Sequence, residues 1–79
     1  MPTVLRIGAY RFFFYANENN EPMHIHIRRD DSSAKFWLEP VKHAKSKGFT
    51  SRELLKLHRL VEEHREYLRE AWCNVFDCQ

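Results

Sequence analysis

Residues 24–28 read His-Ile-His-Ile-Arg, and this strict alternation constrains the fold more than any other feature of the chain. A period of two sends successive side chains to opposite faces of an extended strand, whereas a helix would scatter them around its circumference. Ile25 and Ile27 therefore face one way, and His24, His26 and Arg28 the other. The segment calls for a sheet with one face buried against an apolar layer and one face left open.

Neighbouring segments supply both. Thr3 to Ile7 reads as a strand, followed by a turn at Gly8-Ala9, where glycine is free to take positive φ. Tyr10 to Ala16 (YRFFFYA) is a second strand, rich in the rings that suit a pleated surface. Residues 17–22 form a polar loop of turn formers, His24 to Arg29 is the third strand, Asp30 to Ser33 break it, and Ala34 to Glu39 make the fourth. Pro40 suits the first turn of a short helix over about residues 40–47, ending in lysines and Gly48. A second helix start follows. Thr50 and Glu53 have the spacing of a capping box, and Phe49 with Leu54 that of a hydrophobic staple.

From there Leu54, Leu57, Val61, His64, Leu68, Ala71 and Val75 recur at three- and four-residue steps, widened by Leu60 and Trp72. His64 reads as a satisfied core or edge residue. A helix reaching about Asp77 is roughly 40 Å long, longer than a four-stranded sheet is wide, so its far end must overhang, fray or pack on something else. The Glu and Arg runs along it read as a solvated face. The expectation is a single α+β domain over residues 1–79. It has a four-stranded antiparallel sheet of two hairpins, then a short helix and a long C-terminal helix packed on one sheet face.

A chain of 79 residues holds one small core, and aromatics at 14% make that core a rich one. The net charge of +2 is unevenly spread: residues 1–49 hold eight Lys/Arg against five Asp/Glu, and residues 50–79 hold five against six. The sheet half is the basic half. Cys73 and Cys78 point to different sides of a helix and read as reduced thiols. The N-terminus has no signal-peptide pattern and no apolar run could cross a bilayer, so a cytoplasmic protein is expected. Gly-rich phosphate loops, nucleophile elbows and paired carboxylates are missing, which leaves nucleotide hydrolysis, acyl transfer and glycosidase chemistry unsupported.

Placing the second hairpin's tip at Asp31-Ser32 sets His26 opposite Trp37, Arg28 opposite Lys35 and His24 opposite Glu39. The first hairpin sets Arg6 opposite Arg11, with Val4, Phe13 and Tyr15 on the same side. Leu5, Ile7, Phe12, Phe14, Ile25, Ile27, Phe36 and Leu38 then share the core face. The open face combines Arg6, Arg11, Arg28 and Lys35 with Phe13, Tyr15 and Trp37, cations for phosphates and rings for bases. His24 and His26 are the candidate catalytic pair, about 6–7 Å apart on one face, with pKa values suited to acid–base work. With Arg28 or Lys35 they could cleave a phosphodiester through its 2′-hydroxyl without a cofactor. Two histidines are too few for a metal centre, and Glu39 is the one obvious third ligand.

The stretches RFFFY, Asn17-Glu18, Pro22 and His24-Ile-His26, with AKFWLEPV and the GFTSREL…VEEHREYLREAW ending, resemble the small bacterial family described as domain of unknown function 4160. The likeness covers nearly the whole chain, although Met23 stands where that family usually has a proline. It implies a neighbouring small protein partner in an arrangement similar to toxin–antitoxin pairs. Three readings follow. The first is a toxin-like component engaging RNA or the translation apparatus through the basic, aromatic face, with metal-independent RNA cleavage open to it. The second is a non-enzymatic module binding a cognate protein or a second copy of itself through the same face. The third is a metal-binding domain using His24 and His26.

Overall fold

The computed structural model describes residues 3–15 and 20–76. Five strands run β1 (Thr3–Ile7), β2 (Tyr10–Phe13), β3 (His24–Arg29), β4 (Ser32–Leu38) and β5 (Val41–Lys47), followed by α1 (Ser51–Glu63) and α2 (Arg65–Phe76). The strands pair antiparallel in chain order, β1-β2-β3-β4-β5. The α+β expectation holds, with a five-stranded sheet in place of four. The expected end of the second strand at Ala16, most of the loop after it, and the helix end near Asp77 lie outside the described residues.

The short helix expected over residues 40–47 is instead β5. Glu39-Pro40 forms a tight turn, and Leu38 pairs with Val41 immediately beyond it. A helix there would have left the hydrogen-bonding edge of β4 bare. The segment is rich in lysine and mostly exposed, as edge strands commonly are.

One face of the sheet carries the core. Phe12, Phe14, Ile25, Ile27, Phe36 and Leu38 are fully buried there with Leu57, Val61 and Leu68 from the helices. Val4, expected on the open face, packs on this core instead. A bulge between Thr3 and Leu5 leaves it as an extra residue and sets Thr3 opposite Phe13.

The helix divides at His64, whose φ of −108° and ψ of 19° leave the helical region. Its N–H still reaches the Leu60 carbonyl at 3.0 Å, and its Nδ1 lies 2.9 Å from the same oxygen. Beyond the break, α2 buries Leu68 and Trp72. Burying a tryptophan is worth roughly 4–6 kcal/mol from its 150–250 Å² of ring surface. An interrupted helical hydrogen bond costs about 1 kcal/mol, so burial wins. Val75, expected on the buried stripe, is 45% exposed, and Phe76 packs against the core instead.

The start of α1 is fastened to the sheet. Thr50 Oγ1 accepts from the Glu53 N–H at 3.1 Å, while Glu53 accepts from the Thr50 N–H at 2.9 Å, so the capping box is present. Glu53 also pairs with Arg29 at the end of β3, which lies over the Tyr10 and Phe49 rings. The Thr50 backbone N–H and then Arg29 hold the Glu53 carboxyl below its ordinary value, and Glu53 raises Arg29 further.

Cys73 is disulfide-bonded, which overturns the expected free thiol; Cys78 lies outside the described residues. No helix among the described residues is long and apolar enough to cross a membrane.

Candidate functional site

Sheet register assembles the open face row by row, because directly paired residues in an antiparallel sheet project to the same side. One row runs Arg6, Arg11, Arg28, Ser33, Lys47 across all five strands. The next runs Thr3, Phe13, His26, Lys35, Lys45, and a third runs His24, Trp37, Lys42.

The second hairpin turns at Asp30-Asp31, one position earlier than expected, with Asp30 at φ 53°. His24 therefore pairs with Trp37 and His26 with Lys35, rather than with Glu39 and Trp37. Arg28 meets Ser33, not Lys35. The slip is two residues along the partner strand, so every side chain kept its face.

The two histidines share a face but not a setting. His24 is fully buried. Its Nδ1 donates to the Pro22 carbonyl at 2.8 Å, and its ring meets Trp72 at 5.0 Å, His26 at 5.2 Å and Trp37 at 5.7 Å. His26 is half-buried, stacked on Phe13 at 5.6 Å and edge-on to Tyr15 at 4.6 Å. Phe13 is 2% exposed, covered in part by Arg11, whose guanidinium sits 4.7 Å above its ring. Phe13 therefore props His26 rather than offering a free stacking surface, while Tyr15 remains 40% exposed.

A concavity of about 460 Å³ opens on this face, lined in part by Tyr15, His26, Arg28, Lys35, Lys45 and Lys47. Among the described residues, Asp31 is the only acid in its wall. His24 and Trp37 do not line it, and neither do Arg6 and Arg11, which occupy the far edge of the same face. Lys35 Nζ is 2.6 Å from Glu21 Oε1 and 4.6 Å above the Trp37 ring, so its charge is partly spent. Arg28 Nε donates to the Asp30 carbonyl at 3.1 Å. The arrangement can hold an anion beside a histidine and an exposed ring.

Sequence reasoning missed Lys42, Lys45 and Lys47, because their segment was read as a helix. The alternation Lys45-Ser46-Lys47 was the available signal. It is short, and the Pro40 and Gly48 helix punctuation outweighed it. Glu39, the suggested third metal ligand, pairs with Arg69 at 3.0 Å. Among the described residues, no three His, Cys, Asp or Glu side chains gather as a metal site.

The sequence model of the family described as "Domain of unknown function (DUF4160)" matches residues 9–73. No curated protein and no solved structure matches the chain.

Proposed function

The chain belongs to the family described as domain of unknown function DUF4160, and from that premise we propose that it binds RNA through the open face of its sheet, as the toxin-like component of a two-gene prokaryotic module. The observation that carries this reading is the concavity beside His26, where Arg28, Lys35, Lys45 and Lys47 surround a ring surface, with Asp31 the one acid among the described lining residues. Cations bind phosphates without regard to sequence, and the exposed Tyr15 ring provides a place for an unpaired base. A cognate small protein covers the same face when the module is silent.

Binding is favoured over cleavage. Metal-independent cleavage through a 2′-hydroxyl needs a base and an acid at the same phosphate. His26 reaches the concavity, but His24 is enclosed by Trp37, Trp72 and Pro22.

The test is fluorescence anisotropy with a labelled short oligouridylate at low salt, together with growth on induced expression. The wild type is expected to bind and to slow growth, with both effects weakened in His26→Ala. Absence of RNA binding and normal growth of the wild type sink the proposal. Binding of a co-purifying small protein, lost in Trp37→Ala and without any RNA binding, establishes the protein-interaction module in its place. RNA as target makes the cytoplasm the working compartment.

A further inference from the structure

β5 carries lysine at 42, 45 and 47, and their numbering alone would place Lys42 on the opposite face from the other two. They share a face because the register shifts within the strand. Lys35 pairs with Lys45, but the adjacent Phe36 pairs with His43, leaving Ala44 as an extra residue. A bulge of this kind re-aims side chains. Here it brings Lys42 onto the open face opposite Trp37, while Lys45 lies opposite Lys35 and Lys47 opposite Ser33.

Lysines on an edge strand already have one explanation, since charge deters pairing with other chains. Deterrence works with lysines on either face, and does not call for all three on one. The cross-strand neighbours Lys35 and Lys45 also repel, at a cost of a few tenths of a kcal/mol. Among the described residues none of the three β5 lysines has a carboxylate partner, whereas Lys35 has Glu21.

We propose that β5 is the rail along which the phosphates of a single-stranded RNA lie, with its bases directed inward across the sheet to the rings of Tyr15 and His26; this rests on the RNA-binding reading above. Lys45 and Lys47 are two residues apart on one strand, about 6.6 Å at the usual rise. His26 lies two strands inward from Lys45, about 10 Å at the usual strand spacing. Lys35 lies between the rail and His26, and Arg28 lies beside His26 on β3. A duplex keeps its bases stacked on one another and cannot offer a face to those rings, so the unpaired strand is the ligand that uses both.

The experiment measures the salt dependence of oligouridylate binding for the wild type, Lys45→Ala/Lys47→Ala, Lys45→Arg/Lys47→Arg and the opposite-edge pair Arg6→Ala/Arg11→Ala. Each phosphate neutralised on a single strand contributes about 0.7 to the slope of log K against log salt. The lysine-to-alanine pair is expected to reduce that slope by about 1.4. The arginine replacements at 45 and 47 should retain it, and the Arg6/Arg11 variant should leave it nearly unchanged. Melting curves establish that each variant is folded. A wild-type slope in the folded Lys45→Ala/Lys47→Ala variant, or a larger loss in the Arg6/Arg11 variant, overturns the rail and leaves RNA binding standing. Failure of the wild type to bind at low salt overturns both. Equal affinity for a duplex of the same length overturns the inward path of the bases.

Discussion

Replacing His24 with alanine should cost far more stability than replacing His26, although the two are separated by one residue on the same strand face. His24 is completely enclosed, with ring contacts to Trp37, Trp72 and His26 and a 2.8 Å hydrogen bond to the Pro22 carbonyl. Truncating a fully buried aromatic ring costs about 3–5 kcal/mol, and the smaller imidazole belongs at or below the lower end of that range. Loss of the hydrogen bond adds about 1 kcal/mol. The expected loss for His24→Ala is therefore about 3–4 kcal/mol. A domain of 79 residues has roughly 4–12 kcal/mol in total, so the variant sits near the edge of folding. His26 is half-buried, and His26→Ala should cost about 1 kcal/mol or less. Urea titration followed by tryptophan emission suits the question, because both tryptophans lie against His24. Equal midpoints for the two variants, or a His24→Ala loss below about 0.5 kcal/mol, would refute the assignment of a structural role to His24 and an open one to His26.

Further expectations concern the frame that holds the site. Glu53 titrates below its ordinary 4.5 when folded, so its contribution is present above that value and disappears as the pH falls through the lowered one. Melting temperatures across the acid range should decline more steeply for the wild type than for Glu53→Gln, and parallel curves would contradict this. Thr50→Ala removes the acceptor for the Glu53 N–H and should lose about 1 kcal/mol in urea unfolding. Gly48 has φ +89°, and a Cβ there would lie 2.6 Å from Ser32 Oγ; at Gly8, with φ +57°, a Cβ would meet nothing within 4 Å. Gly8→Ala should cost about 1–2 kcal/mol for the left-handed backbone alone, and Gly48→Ala measurably more by thermal melting.

The amino-acid order alone determined whatever depends on local period and local chemistry. Alternation at His24 to Arg29 established a strand and its two faces, Gly8-Ala9 its neighbour's turn, and Thr50 with Glu53 the start of α1. The hairpin misplaced by two residues still put Ile25, Ile27, Phe36 and Leu38 in the core, because parity survives an even slip. Three matters were decided only by tertiary structure. Residues 41–47 carry punctuation that suits a helix, but the open edge of β4 offered a ladder of hydrogen bonds and they became β5. Leu54 to Val75 keep one helical period, but the helix breaks at His64 and Trp72 is buried beyond the break. His24 and His26 are equivalent in any strand diagram. Trp72 of α2 encloses the first and the second lines the concavity, so burial, which no local pattern encodes, separated them.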